Sequence, residues 1–336
     1  MDTTKIDASK YKMLLKSYIE SQNEQSLYGA EQITKTFIKN NILPEEIVNL
    51  HIQALTELYP DLLIEFKHSM NFLLETMISY GLAHQEYQYL REKQSQIKSE
   101  ISVAANVQDT LLKTTVPQID ELDIGVISVP AHQMNGDYHH FIQGKDGSIG
   151  IAIADVIGKG IPAALCMSMI KYAMDSFPEQ LMRPNSILEN LNRVVERNVD
   201  PSMFITMFYA QFDPDSGKLF YSSAGHEPGF LYNAVTKEFQ DIEARGLVLG
   251  INSDSTYKQY ELQLNKGDIV IMLTDGVTEC RGGKKFIERE EALDIIRQYI
   301  HLPPQEAAEM IYKHFENLQD FNLKDDFTLI ILEKKV

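Results

Sequence analysis

Ile149-Gly150-Ile151-Ala152-Ile153-Ala154-Asp155-Val156 is the stretch whose reading decides the fold. An uncharged run with isoleucine at every second position reads as a buried strand, and this one reaches its end on a carboxylate. The same pattern recurs downstream. Ile269-Val270-Ile271-Met272-Leu273 runs into Thr274-Asp275-Gly276, and Asp325-Asp326-Phe327-Thr328 opens the run Leu329-Ile330-Ile331-Leu332. A fourth acidic cluster, Gly136-Asp137-Tyr138, precedes them all. Two carboxylates about 5 Å apart repel by roughly 3 kcal/mol at an effective dielectric near 20. Divalent cations reverse that sign, so a natural reason to gather strand-end aspartates is an all-oxygen metal site.

Composition bounds the alternatives. A chain of 336 residues with 44% hydrophobic and 24% charged residues is an ordinary globular protein with room for two domains. Its formal charge of −17 argues against nucleic acid as a partner and against adsorption to anionic membranes. No apolar stretch reaches the eighteen or so residues of a membrane span, and Met1-Asp2-Thr3-Thr4-Lys5 lacks a signal-peptide core. Cys166 and Cys280 lie far apart with no partner motif and read as free thiols. A cytoplasmic protein is expected.

The pattern changes near residue 115. Between Lys10 and about Leu82 sustained helical periodicity predicts a bundle of three or four helices, with Pro44 in the first turn of one and Glu45 and Glu46 behind it. Beyond Gly81 a long polar helix follows, in which Leu90, Ile97, Ala104 and Leu111 recur every seven residues with Ile101 on the same stripe. Gln94 and Gln108 interrupt that seam, which reads either as an amphipathic helix lying on the next domain or as a short parallel coiled coil. Pro117 closes it. The expected domains are therefore 1–84, 85–116 (the linker helix) and 117–336. In the last, strands are predicted at 122–129, 148–156, 204–212, 218–223, 229–233, 257–264, 268–273 and 328–333. Helices are predicted at 161–176, 186–198, 288–299 and 304–318. Strands with inserted helix pairs suggest an antiparallel α+β domain of layered sheets.

Several chemistries fail on spacing. Val156-Ile157-Gly158-Lys159-Gly160 follows a strand, but the glycine that a phosphate-binding loop needs five residues before Gly158 is Ile153. Asp213-x-Asp215 lacks the downstream ligands of a calcium loop, and no zinc pattern occurs. Oxygen-only coordination remains, and two Mg²⁺ or Mn²⁺ ions about 3.5–4 Å apart can activate a bridging water against a phosphorus atom.

The order Gly136-Asp137, Ala154-Asp155-Val156-x-Gly158-x-Gly160, Asp275-Gly276, Asp325-Asp326-x-Thr328 resembles the metal-dependent PP2C-type (PPM) protein phosphatases. It is closest in pattern to their bacterial SpoIIE-like branch, of which Ala224-Gly225-His226-Glu227-Pro228 is also typical. The match covers roughly residues 120 to 335. The helical front half, with Ser26-Leu27-Tyr28 and Leu58-Tyr59-Pro60, is similar to that of the stress-response, RsbU-type members.

The resemblance implies a PP2C-like layered antiparallel β-sandwich flanked by helices, preceded by an all-α N-terminal bundle and a linker helix. It implies two Mn²⁺ or Mg²⁺ ions, with Asp155 bridging both. Asp275 and the Asp325-Asp326 pair would complete one ion's shell, and Asp137 and the Val156 carbonyl would serve the other. Asp155 and Asp275 would then act catalytically through metal-held water. The family pattern favours Asp325 over Asp326 as ligand, and strand alternation points the two to opposite faces. Two family features are missing: Ile157 stands where eukaryotic members carry a histidine, and no arginine occurs between Arg91 and Arg183. The general acid and the phosphate clamp are thus unassigned, with His226 and Lys159 as candidates beside a metal-held water. Histidines 132, 139 and 140 read as surface or packing residues. Gly158, Gly160, Met167, Met169 and Met174 form a candidate switch, since adaptable methionine packing would let the helix after Gly160 shift and move Asp155.

The implied substrate is a phosphorylated anti-anti-sigma factor (RsbV-like), whose dephosphorylation would release the general stress sigma factor. The implied activator is an RsbT-like switch kinase bound to the helical domain, in a homodimer joined through that domain and the linker. Two rivals remain: a metal-binding scaffold without turnover, and a phosphatase controlled by a small ligand.

Overall fold

The protein is described by a computed structural model covering residues 8–40, 42–158, 160–177, 183–200, 203–278, 280–282, 285–287, 289–321 and 323–335. Lys159 lies outside the described residues. The chain divides into two compact units, Met1–Lys98 and Ser99–Val336.

The first unit is helical: α1 (Ala8–Ser21), α2 (Glu24–Lys39), α3 (Pro44–Leu58) and the start of α4 (Ile64–Leu112). Its core is small, with Ile33, Phe37 and Leu50 packed by Tyr11, Leu14, Ile42 and Ile47. Pro44 occupies the first turn of α3, and the Leu43 N–H donates to the Glu46 carboxylate at 3.0 Å, which satisfies a donor at the helix start. One helix of 49 residues runs from Ile64 to Leu112. The last helix expected in the bundle and the linker are thus a single element. Gly81 does not break it, because one glycine costs a long helix only about 1 kcal/mol. No described helix is long and apolar enough to cross a membrane.

The second unit is a four-layer α+β sandwich built on two antiparallel five-stranded sheets. After β1 (Leu122–Val129) come β2 (Asp137–Gln143), β3 (Ile149–Val156), α5 (Ile161–Ser176) and α6 (Pro184–Asn198). Then follow β4 (Ile205–Asp213), β5 (Lys218–Ala224), β6 (Gly229–Tyr232), β7 (Phe239–Ile242), β8 (Tyr260–Gln263) and β9 (Ile269–Leu273). A single helical turn α7 (Asp275–Thr278), the short pair β10 (Arg281–Gly282) and β11 (Lys285–Phe286), α8 (Arg289–Tyr299), α9 (Pro304–Leu318) and β12 (Phe327–Lys334) complete it. The sheet orders are β1-β12-β9-β6-β7 and β2-β3-β4-β5-β8.

Alternation along the strands explains the layers. Ile149, Ile151 and Ile153 face inward against Val270, Met272, Ile330 and Leu332 of the other sheet. On the opposite face of β3, Ala152, Ala154 and Val156 pack with Met167, Ile170 and Met174 of α5 and with Ile187, Leu188 and Leu191 of α6. Ile271 and Leu273 likewise turn to Ile296, Ile311 and Phe315 of α8 and α9. Both faces of each central strand are therefore covered, which is why these strands read as unbroken apolar runs.

Strands β2 and β7 were not expected. In β2 the polar run His139-His140 masks the pattern; the structure buries His140, 3.0 Å from Asp175, and stacks its ring on Tyr138. The strand expected over 257–264 is shorter. Cys166 and Cys280 are buried free thiols.

Candidate metal centre

Register gathers the aspartates. Pairing of β2 with β3 sets Asp137 opposite Asp155, and pairing of β3 with β4 sets Asp155 opposite Thr206. From the other sheet, the Thr274 hydroxyl donates to the Asp137 carboxylate at 2.7 Å. Thr274 and Thr328 fasten the ends of β9 and β12, with the Thr274 N–H on the Thr328 carbonyl and the Thr328 N–H on the Thr274 hydroxyl, both at 3.1 Å. The mouths of the strands carrying Asp137, Asp155 and Asp275 therefore meet at one edge of the sandwich.

Asp326 reaches this edge from just before β12. Its carboxylate accepts from the Ala131 N–H at 2.7 Å and from the Gly136 N–H. A Cβ at Gly136 would stand 3.0 Å from the Asp326 carboxylate and 3.8 Å from that of Asp155. A Cβ at Gly276 would stand 1.9 Å from the Asp326 carbonyl oxygen. The glycines beside Asp137 and Asp275 thus permit close approach of the 325–326 segment. Asp325 is exposed and accepts the Asp326 N–H at 3.1 Å. The two aspartates are inequivalent: the Asp326 charge acts on Asp137, whereas the Asp325 side chain is exposed. Asp275 is half-buried at the start of α7, and Val156 is buried with its N–H on the Gly136 carbonyl at 3.2 Å.

The electrostatics show a deficit of positive charge. Burial pushes the Asp137 carboxyl well above the usual carboxylate range, hydrogen bonds from Thr274 and Thr328 oppose the shift, and the charges of Asp155 and Asp326 add to it. A divalent cation would reverse that balance. Among the described residues no three His, Cys, Asp or Glu side chains stand ready to hold an ion, because Asp137 is turned to hydroxyls and Asp326 to backbone amides. The donors are all oxygen and hard, so they fit Mg²⁺ or Mn²⁺ in kind. Binding would exchange those hydrogen bonds for the metal.

Sequence reasoning missed the polar network behind the aspartates. Ser128 and Thr328 share a hydroxyl contact at 2.9 Å, the Asn135 amide donates to Ser128 at 3.1 Å, and Asn135 Oδ1 accepts the Asp137 N–H at 2.9 Å. Gln108, on the second-unit end of α4, closes the network. Its amide donates to the Asn135 carbonyl at 2.7 Å and accepts the Asn135 N–H at 3.0 Å. The available signals were a polar residue ending each apolar run, and a glutamine spoiling a heptad. A cleft of about 360 Å³ adjoins the cluster, lined by Ile101, His132, Gln133, Met134, Gly136, Gly160 and Asp326.

Of the switch candidates, Gly158 and Gly160 lie beside the aspartates, Gly160 lining the same cleft, and the methionines lie in the core beneath β3. Gly158 and Gly160 have φ of +137° and +76°, where a side chain would be strained. Met167 and Met174 are fully buried in the core beneath β3, and Met169 packs at its margin. His226 is buried with both ring nitrogens in hydrogen-bond reach of protein atoms, and desolvation lowers its pKa to about 4.

Comparison with known proteins agrees with this fold. The SpoIIE family (Stage II sporulation protein E) matches residues 145–335, and the family of the N-terminal domain of the phosphoserine phosphatase RsbU matches residues 9–83. Phosphoserine phosphatase RsbU of Bacillus subtilis is 55% identical over 336 residues, covering 100% of both chains. Among solved structures, the SiaA-PP2C domain of Pseudomonas aeruginosa superposes with a TM-score of 0.62 at 20% identity, covering 73% of this chain and 98% of that one. The PP2C domain of SpoIIE from Bacillus subtilis, with a fragment of its regulatory domain, gives 0.54 at 17% identity, covering 64% and 62%.

Proposed function

Because this chain belongs to the RsbU family of SpoIIE-type PP2C phosphatases, and is therefore a phosphoserine/phosphothreonine protein phosphatase, we propose that its substrate is a phosphorylated anti-anti-sigma factor (RsbV-like). Dephosphorylation would release the general stress sigma factor, and an RsbT-like kinase bound to the helical domain (residues 1–84) would switch the enzyme on. The observation that carries this reading is the end-to-end match to a relative of the same length, in which both the phosphatase half and the helical half have counterparts. Phosphatase membership leaves the scaffold reading without support. The match of residues 9–83 to the RsbU N-terminal domain favours a protein activator over a small ligand.

Asp137, Asp155, the Val156 carbonyl, Asp275 and the Asp325-Asp326 pair are the proposed holders of two Mn²⁺ or Mg²⁺ ions. Bound there, such ions supply Lewis acidity, lowering the pKa of water and offsetting charge on a phosphoryl group. The chain's own residues do the positioning. Thr274 and Thr328 aim Asp137, the Ala131 and Gly136 amides aim Asp326, and the cleft along Ile101, His132 and Met134 is the proposed seat of the phosphoserine segment. Gly158, Gly160 and the methionines at 167, 169 and 174 would let α5 move Asp155 and the Val156 carbonyl when the activator binds. Tenfold activation corresponds to about 1.4 kcal/mol of differential binding.

Turnover of the phosphorylated anti-anti-sigma factor with Mn²⁺, with and without the kinase, tests the proposal. The kinase should raise the rate at least about tenfold, a shift of about 1.4 kcal/mol. In Asp155→Ala both rates should fall at least about a hundredfold. An unresponsive rate would reject the activator, and undiminished turnover in Asp155→Ala would reject the site.

A further inference from the structure

The Gly225-His226-Glu227-Pro228 turn has no part in the chemistry above, yet it carries a fully enclosed imidazole beside it. We propose that His226 is a positioning residue that clamps the two sheets together at the ligand edge and so sets the separation of Asp155 from Asp275. The inference rests on the metal-dependent reading just given.

His226 Nδ1 lies 2.8 Å from the Thr206 hydroxyl, and Nε2 lies 3.2 Å from the Leu273 carbonyl oxygen. A carbonyl only accepts, so Nε2 carries the hydrogen and Nδ1 accepts from Thr206. Each end of the ring thus grips a different sheet. Thr206 belongs to β4, where it pairs with Asp155, and its hydroxyl also lies 3.5 Å from the Asp155 carbonyl. Leu273 ends β9, two residues before Asp275. The two strands sit in separate sheets, so a rigid planar ring spans the mouth of the sandwich.

The ring is itself held in place. The His226 N–H donates to the Ser223 hydroxyl at 3.1 Å. Gly225 ahead of it has φ of +66°, and a Cβ there would come 2.4 Å from Val248 Cγ1. His226 is 8% exposed, with both nitrogens engaged by protein, so it acts through its neighbours and not on substrate. Further links across this edge, the Thr274 hydroxyl on Asp137 and the Gly136 N–H on Asp326, end on proposed ligands and would be released by the metal. The His226 bonds end on a hydroxyl and a carbonyl outside the proposed ligand set, so metal entry need not break them. Small hard cations demand tight ligand geometry, so a site assembled from two sheets needs such a spacer.

The test uses the full chain as His226→Ala, Thr206→Val and Thr206→Ser. Mn²⁺ binding is measured by electron paramagnetic resonance, and amide exchange of residues 273–278 is followed without metal. Removing a residue that orients ligands typically weakens metal binding 10–100-fold. His226→Ala and Thr206→Val should therefore bind Mn²⁺ about tenfold or more weakly. Their exchange should be faster, and their turnover should recover as Mn²⁺ is raised. Thr206→Ser keeps the hydroxyl and should behave as the parent does. A folded His226→Ala or Thr206→Val chain with parental Mn²⁺ affinity and exchange overturns the clamp. If His226→Ala does not fold, Thr206→Val decides, since it leaves the ring and its Leu273 bond in place. A parent chain that neither binds Mn²⁺ nor turns over would instead sink the metal-dependent reading beneath it.

Discussion

At the scale of single residues, the candidate site joins groups whose ionisation the fold pushes in opposite directions. The Asp137 carboxyl is raised by burial, while His226 is lowered to about 4, below the ordinary 6.5. For His226 the consequence for stability has a definite sign. As pH falls past 6.5 the unfolded chain binds a proton at this residue, whereas the native ring stays neutral until about pH 4. The contribution is therefore fully present above about pH 6.5 and is lost towards pH 4, at up to about 1.4 kcal/mol per pH unit. Between pH 7 and pH 5 this one group should remove about 2 kcal/mol. Urea unfolding of the metal-free chain at the two pH values measures the loss, and His226→Gln should lessen it by about that amount. An identical loss in the variant would show that the ring is not held neutral.

At the scale of elements, the site depends on how closely α7 and the start of β12 approach. Gly276 is buried, and its missing side chain leaves room for the Asp326 backbone carbonyl, which no rotamer change can withdraw. Gly276→Ala should cost about 2 kcal/mol, an ordinary overpacking penalty. It should also displace Asp275 and Asp326 together, so turnover should fall further than stability alone explains. Urea midpoints and turnover at a temperature where the variant stays folded would separate the two. The central strands were legible in sequence because both faces of Ile149–Val156 and Ile269–Leu273 are covered, so their apolar runs are continuous. Strand β2 was hidden because His139 is half-buried through a ring contact and His140 is buried by ring stacking and a pairing with Asp175, which no hydropathy pattern records. The aspartates announced themselves at strand ends. Their orienting hydroxyls did not, since Ser128, Thr274 and Thr328 become meaningful only when β1, β9 and β12 are side by side. Gln108 was noticed as a flaw in a heptad, whereas its role is the paired contact with Asn135.

At the scale of the whole molecule, one helix belongs to both units. Near its end Ile101, Ala104, Ala105, Gln108 and Leu112 are at least half-buried, while Leu90, Ile97 and Leu111 of the heptad stripe are 57%, 56% and 51% exposed. The stripe is thus split: Ile101 and Ala104 belong to the packed face, while Leu90, Ile97 and Leu111 stay exposed. The proposed coiled coil would bury those exposed positions in a second copy while the packed face keeps Gln108 on the Asn135 loop. If activator binding at the front unit is to reach Asp137 along this route, the helix must transmit it as a continuous rod. Ser95→Pro interrupts that rod at an exposed position away from every proposed ligand and costs about 3 kcal/mol locally. Basal turnover with Mn²⁺ should be unchanged, since the second unit keeps its two sheets and its Gln108 contact. Stimulation by the kinase should fall at least about tenfold, and sedimentation should show weaker self-association, because a proline-broken helix cannot hold its seam in register. Full kinase stimulation of Ser95→Pro would mean that the signal reaches the aspartates by a route other than α4.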